Sequence, residues 1–382
     1  MQYPIYLDYN ATTPCDPRVM DEMLPYFTSH FGNAASKTHA YGWEAEEAVT
    51  IARERVARLI SADASELIFT SGATESVNLA MRGVYETYQS KGKHIITYQT
   101  EHKAVLDTCA YLEKQGAMVT YLPVDENGLP DLLLLEKSIQ PDTILIAAMY
   151  ANNETGVLFP IREMTAIAKE KGVLFFSDAT QAVGKIPVDV LKDEIDLLAL
   201  SAHKIYGPKG VGALYVRRKN PRVKLSPLLY GGGHEKGLRS GTLNVPGIAG
   251  LGKACDIAST DMHTDRLRIE QLRDQLLNGL LAFGCTTLNG DKDFLLPHVA
   301  NIAFDFTGAS QLIGQLSKHM AVSSGSACTS ASTEPSHVLK AMGLRDELAA
   351  ASIRFSLGRF TTENELSIAL QKIEVIVKAM KG

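Results

Sequence analysis

The sequence predicts an α/β fold: a large domain built on a mainly parallel sheet, joined to a smaller α+β domain. Three observations predict it. Short apolar runs alternate with amphipathic stretches from about residue 42 to 257, a charged helical pattern begins near 258, and an aspartate and a lysine each close an apolar run. Seven runs read as strands, at 67–70, 93–98, 118–122, 143–149, 172–177, 195–200 and 211–217. Between them 42–60, 73–89, 102–114 and 161–171 carry apolar residues at helical spacing, as in Ala48, Ile51, Ala52, Val56 and Leu59. That alternation favours a parallel sheet with helices on both faces. Beyond 258 the pattern predicts a helix over 262–283, a strand over 299–306, a helix near 309–318, a small-residue stretch at 321–333 and a terminal helix near 362–380. The segment 220–244 has no regular period, contains Gly231-Gly232-Gly233 and reads as an ordered functional loop.

Composition removes several function classes. A formal charge of −5 gives no global attraction to nucleic acid or an anionic membrane. The five cysteines (15, 109, 255, 285 and 328) are odd in number and form no CxxC pair, which argues against a disulfide framework and a zinc site and favours a reducing compartment. Ten histidines occur without HExxH or comparable spacing, so no metal is expected. The N-terminus enters an extended segment at once, with no secretory pattern, and no run is long enough to span a bilayer. The expectation is a cytoplasmic protein with no membrane and no direct nucleic-acid partner.

Asp178 closes Gly-Val-Leu-Phe-Phe-Ser-Asp (172–178), and Lys204 follows Ile-Asp-Leu-Leu-Ala-Leu-Ser-Ala-His (195–203). Ligands of open α/β sheets bind beyond the carboxyl ends of the strands, so both groups can face one crevice. A lysine there can form a Schiff base and a carboxylate can hold a pyridinium nitrogen protonated, the pair that pyridoxal 5′-phosphate (PLP) chemistry needs. Two solvated strand ends are the alternative.

The segment 66–76, Glu-Leu-Ile-Phe-Thr-Ser-Gly-Ala-Thr-Glu-Ser, passes from a strand through Gly72 into a helix start, which suits a phosphate or plain capping by Thr74 and Ser76. It matches neither a Walker A loop nor GxGxxG. His102 opens a helix directly after a strand, where an imidazole can stack on a planar group and move protons, or serve structure alone. Asn152-Asn153-Glu154-Thr155-Gly156 and Gln181 place amides at strand ends, although a simple turn also explains the first. Cys328 lies among small polar residues (323–332) that suit an exposed loop, a setting in which a free thiol is a candidate nucleophile. Arg354, flanked by alternating apolar residues on a half-buried strand, needs an anion: a substrate carboxylate or a structural acid.

Together these segments resemble the cysteine desulfurases of the NifS/IscS type, in the class V group of PLP-dependent enzymes. The likeness runs from Tyr6-Leu-Asp-Tyr-Asn-Ala-Thr-Thr-Pro14 to Arg354-Phe-Ser-Leu-Gly-Arg-Phe-Thr-Thr362. Its strongest pieces are Thr-Ser-Gly-Ala-Thr-Glu-Ser (70–76), Thr-Glu-His-Lys (100–103), Ser-Asp-Ala-Thr-Gln (177–181), Ser-Ala-His-Lys-Ile-Tyr-Gly-Pro-Lys-Gly (201–210), Arg-Ser-Gly-Thr (239–242) and Ser-Ser-Gly-Ser-Ala-Cys (323–328).

The resemblance implies the PLP-dependent transferase fold of type I. Residues 14–257 would form the large PLP-binding domain on a seven-stranded sheet, and 1–13 with 258–382 the small domain, carrying the cysteine loop at about 321–334. It implies that Lys204 holds PLP, Asp178 pairs with the pyridine nitrogen, His102 stacks on the ring, and Gln181 and Asn153 approach the phenolic oxygen. Ala73, Thr74, Ser201 and His203 would bind the phosphate, with Thr242 added from the second subunit of a homodimer. Asn33 and Arg354 would hold the carboxylate of L-cysteine, and Cys328 would take its sulfur as a persulfide, leaving L-alanine. Acceptor proteins would be an iron–sulfur scaffold or tRNA-thiolation carriers. The cysteine region resembles the longer-loop subgroup rather than members with Arg-x-Gly-His-His-Cys, which implies activity without an obligatory activator.

Three departures stand out. Ala34 follows Asn33 where the pattern has proline, which predicts a less rigid loop; Asn220 reads as an insertion in a surface turn; and the longer tail with which housekeeping members often dock the scaffold does not follow Gly382. A class V aminotransferase or selenocysteine lyase on the same scaffold, or a non-catalytic sulfur carrier, are the rival readings. Cys328 argues against the aminotransferase, and intact Lys204, Asp178 and His102 against the carrier.

Overall fold

Apolar residues fill both faces of the central strands, and two cores form as a result. A computed structural model describes residues 4–324 and 335–381, so the Cys328 assignment lies outside the described residues. After a short strand Ile5–Tyr6 (β1) come Leu67–Thr70 (β2), His94–Tyr98 (β3), Met118–Leu122 (β4), Thr143–Ala147 (β5), Leu174–Asp178 (β6), Leu197–Ser201 (β7) and Gly212–Val216 (β8). The last seven form one sheet in the order β2-β8-β7-β6-β5-β3-β4. Only β8 runs against its neighbours, pairing antiparallel with β2 and β7. Side chains alternate between the faces: Ile96, Ile146, Phe175 and Leu198 enter one core, and their neighbours Ile95, Leu145, Phe176 and Leu197 enter the other.

Helices Ala40–Leu59 and Ile161–Glu170 cover the first face through Ala52, Val56, Met164 and Ala168. Helices Ala73–Tyr88 and Lys103–Lys114 cover the second through Val77, Met81, Val105 and Leu112. Strand β6 starts at Leu174 rather than 172 because Gly172, at φ +69°, is still turning out of the preceding helix. Strand β5 ends at Ala147 rather than 149 because the Met149 N–H turns to the Glu101 carboxyl.

The expected helix over 262–283 is the second half of a single helix, Val245–Leu281, about 55 Å long at 1.5 Å per residue. Its first half carries Ile248, Leu251 and Cys255 into the first core, and its second half carries Ile269, Leu272 and Leu276 into a third. The first half hides its period because it is apolar or small nearly all round. A Cβ at Gly252 would lie 2.5 Å from the Ala52 Cα, so glycine sets how closely this helix meets Ala40–Leu59.

The third core is covered by helix Glu363–Lys381 and an antiparallel sheet of Thr286–Leu288 (β9), Val299–Phe304 (β10) and, after Met320–Ala321 (β11), Ser352–Ser356 (β12), in the order β12-β10-β9. Strand β11 pairs in parallel with β1, which brings the N-terminus to this core. Every residue of β12 is buried, so Arg354 stands on a fully covered strand and not the half-buried one its flanks suggest. The expected helix at 309–318 is a tight turn, Ala309–Gln311, running into a short helix, Leu312–Leu316. Pro17–Met23, Leu132–Ser138, His337–Ala341 and Asp346–Ala350 are helices too short to show a period.

Segment 220–244 is anchored by charge. The buried Glu235 carboxylate accepts the Phe69 N–H at 2.7 Å and two N–H groups of Arg53 at 2.6 and 2.9 Å. Arg239 donates to Glu75 at 2.8 Å beside the start of helix Ala73–Tyr88. Among the described residues no helix is long and apolar enough to cross a membrane, and no group of three or more His, Cys, Asp or Glu side chains could hold a metal ion.

Candidate active site

Strands β5, β6 and β7 end side by side, and the segments leaving them line a cavity of about 430 Å³. Asp178 is the last residue of β6; its Oδ1 accepts the Thr180 N–H at 3.0 Å, which sets the carboxylate's direction. The turn Ala202–Lys204 carries Lys204 into the cavity directly after β7. Its Nζ donates to the backbone carbonyls of Asn10 at 2.5 Å and Ala11 at 2.8 Å. Gln181 donates to the same Asn10 carbonyl at 3.1 Å.

His102 caps helix Lys103–Lys114, with its Nδ1 accepting the Ala104 N–H at 3.1 Å. In the neutral ring this puts the proton on Nε2. Ala73 and Thr74 form the first turn of their helix after Gly72, whose φ of +151° is glycine territory. Gly72 brings no capping side chain, so the first-turn N–H groups and the helix dipole present an anion site at the cavity wall. Ser201 and His203 line the same wall. Burial, and then the charges of Lys204 and Lys209, push His203 down to about 4, so its ring is neutral at pH 7 and shares a hydrogen bond with Thr12 at 3.1 Å.

Arg354 reaches the cavity from the other sheet. It is 1% exposed, donating from Nη1 to the Asn153 carbonyl and from Nη2 to Asp8, both at 2.7 Å. Both readings of this arginine therefore meet at one side chain: a structural acid holds it, and it also lines the cavity. Two expected residues stand elsewhere. Asn33 is exposed, accepts the Ala35 N–H at 2.9 Å and does not line the cavity. That bond closes a tight turn without the family's proline. Thr242 is exposed and also away from the cavity.

Sequence reasoning missed Asp8, Asn10 and Glu101. The first two lie in the quoted run 6–14, but Asn10 works through its backbone carbonyl, which no side-chain pattern reveals. Glu101 is fully buried, its Oε1 accepting the Met149 N–H at 2.6 Å. Burial pushes its pKa well above the carboxylate range; the Met149 bond opposes this, and the nearby Asp178 charge adds to it. Burial thus favours the protonated form of Glu101 beside the ionisable groups of the cavity.

The donor set fits PLP: an amine, a carboxylate one strand away, an imidazole and a helix start suited to a phosphate. The buried Thr180 Oγ1 at the cavity wall, with no hydrogen-bond partner among the described residues, fits a polar ligand there. The chain belongs to the aminotransferase class-V family, whose model matches residues 5–368, and members of that family are PLP-dependent enzymes. Within it the similarity falls on cysteine desulfurases. The chain is 55% identical over 372 residues to a protein named cysteine desulfurase IscS of Anaeromyxobacter dehalogenans (strain 2CP-C), covering 97% of this chain and 92% of that protein. It is 53% identical over 383 residues to the IscS of Vibrio vulnificus (strain CMCP6), covering 100% and 94%. A solved NifS-like protein superposes with a TM-score of 0.91 at 40% identity, over 98% of this chain and 100% of that one. The structure of SspA in complex with cysteine matches at 0.83 and 36% identity, over 94% and 100%.

The raised pKa of Glu101 has a definite sign in stability. The unfolded carboxyl ionises above its ordinary value of 4.5 while the folded one stays protonated, so its contribution is complete below 4.5 and is lost as pH rises through the folded value. Glu101→Gln should therefore gain stability over wild type as pH rises above the ordinary value of 4.5, read as urea midpoints. A gap that does not change with pH would show that Glu101 is ionised in the folded protein.

Proposed function

We propose that this protein is a PLP-dependent cysteine desulfurase that converts L-cysteine to L-alanine and leaves the sulfur on Cys328 as a persulfide. The observation that carries the reading is the convergence of Lys204, Asp178, His102 and the buried Arg354 on one cavity. When bound, PLP supplies the electron sink that makes proton removal from the substrate α-carbon feasible. Lys204 would hold it, Asp178 would keep its ring nitrogen protonated, His102 would cover the ring, and Gln181 and Asn153 would meet its phenolic oxygen. Its phosphate falls to Ala73, Thr74, Ser201 and the neutral His203, with Thr242 from a second subunit.

Arg354 uses one N–H of Nη1 and one of Nη2 on Asn153 and Asp8, so a second N–H on each of these nitrogens is left for a substrate carboxylate. Asn33 is the further carboxylate ligand that the family likeness suggests. The amine of Lys204 and the imidazole of His102 move protons at the substrate. In the sulfur step the Cys328 thiolate attacks the substrate sulfur. The S–S bond forms, the C–S bond breaks, and its electron pair stays with the β-carbon, which takes a proton to become the alanine methyl.

The chain on both sides of residues 325–334 is tied to this region. Ser323 exchanges backbone hydrogen bonds with Arg354 at 2.7 and 3.2 Å, the Ser336 hydroxyl meets Glu154 at 2.5 Å, and His337 donates to the Glu101 carbonyl at 3.0 Å. Cys328 is five residues beyond Ser323, a length that spans up to about 17 Å when extended. The persulfide would pass to acceptor proteins in the cytoplasm, of the iron–sulfur scaffold or tRNA-thiolation type.

With L-cysteine and a thiol reductant alone, wild type should give alanine and sulfide in equal amounts. Cys328→Ala should bind PLP and lose both products by about a hundredfold or more. Retention of activity by that variant would make Cys328 a bystander and the protein a lyase or aminotransferase of the same fold.

The homodimer has its own support. Leu24, Phe27, Phe31, Tyr41 and Trp43 are all more than half exposed, a concentration of apolar surface that fits association. Light scattering should give twice the 41.5 kDa chain mass, and a monomer at micromolar concentration would remove the second subunit from the site.

A further inference from the structure

We propose that Asn10 and His298 are positioning residues: together they form a buried link that fixes Lys204, Gln181 and Arg354 relative to one another. The inference rests on the desulfurase reading above, because that reading gives the three linked groups their tasks.

The hydrogen bonds allow one arrangement. Asn10 and His298 are 1% and 2% exposed. The Asn10 Nδ2 lies 3.0 Å from the Asn153 carbonyl, which can only accept, so the amide orientation is fixed. Its Oδ1 then faces the His298 Nε2 at 2.8 Å, and that nitrogen must carry the ring proton. Burial and the charges of Lys185, Arg273 and Arg354 hold His298 well below its ordinary pKa, so it stays a neutral donor.

Two backbone carbonyls gather the machinery. The Asn10 carbonyl accepts from Lys204 and from Gln181, and the Asn153 carbonyl accepts from Arg354 and from the Asn10 side chain. The Asn10 N–H donates to Ser356, two residues beyond Arg354 on β12, at 2.9 Å. Asn10 thus sets the distance between the amine on the large sheet and the guanidinium on the small one. His298, immediately before β10, holds Asn10 against the strand paired with β12. Shortening either side chain frees the Asn10 carbonyl to drift and leaves buried polar atoms unpaired. An error of an ångström in such a frame is enough to slow a reaction strongly.

The test compares His298→Leu, which loses the donor, with His298→Gln, whose amide nitrogen can replace Nε2, and with Asn10→Ala. The readouts on PLP-loaded protein are kcat and KM for L-cysteine, and the pH midpoint of the visible absorbance change, which reports the acidity of the lysine nitrogen. Melting curves show which variants fold. His298→Leu and Asn10→Ala should raise KM and lower kcat, taking kcat/KM down about tenfold or more. Their absorbance midpoint should fall, because the displaced carbonyl no longer favours the protonated nitrogen. His298→Gln should remain within about threefold of wild type, the margin of a conserved hydrogen bond.

The proposal is overturned if the folded His298→Leu or Asn10→Ala keeps wild-type kinetics and midpoint, or if His298→Gln is as impaired as His298→Leu. If His298→Leu does not fold, Asn10→Ala decides. Failure of both to fold would make the link structural and overturn it as well. A wild-type protein that makes no alanine would instead overturn the proposed function, and the absorbance midpoints would still decide the positioning.

Discussion

The hydrogen bond from the Lys204 amine to the Asn10 carbonyl is the interaction on which the rest of the site depends. Lys204 belongs to the seven-stranded sheet and Arg354 to the three-stranded one, and the chain near Asn10 runs between them. Leu7 sits in the third core, while Thr13 bonds the His203 carbonyl through both its N–H, at 2.9 Å, and its hydroxyl, at 3.0 Å. The same hydroxyl accepts the Tyr206 N–H at 2.8 Å. Tyr206 has a φ of +64°, costly for a residue with a side chain by about 1–3 kcal/mol. That bond and the burial of its ring offset the strain. The first residues of the chain therefore brace the lysine turn from outside the sheet that carries it.

Charge in the cavity is arranged by burial. Burial favours the protonated form of Glu101, and His203 is kept neutral by burial and two lysines. The cations that remain include Lys204 and Arg354, both oriented by backbone carbonyls, which set direction without cancelling charge. Arg354 is also held by the Asp8 carboxylate at 2.7 Å. A cavity of this character favours anionic ligands such as a phosphate or an amino-acid carboxylate. The open helix start at Ala73 adds to it without adding a side-chain charge.

The large sheet was legible to within a few residues because its strands are apolar on both faces and separated by helices with a clear period. The half of the long helix from Val245 to about 258 was not, since a helix buried on nearly all sides and rich in glycine shows no stripe. The burial of Arg354 on both faces of β12 was hidden as well, because alternating Ile353 and Phe355 look the same on a half-covered strand. In the site, side chains at strand ends could be read directly: Asp178, Lys204, His102 and Gln181 all line one cavity. Asn10 could not, because its carbonyl carries the contact. Glu101 could not, because its shift comes from burial in the folded chain, and Met149, whose N–H it meets, is 48 residues away in sequence. Asn33 and Thr242 are exposed on this chain and do not line the cavity.

The measurement that tests the central claim most directly is the chemical location of the cofactor. The purified yellow protein is reduced with borohydride, digested and mapped by mass spectrometry. The account predicts a phosphopyridoxyl group on Lys204 and on no other lysine. A group on Lys209 or Lys185, or protein that binds no PLP and yields no adduct, would contradict it.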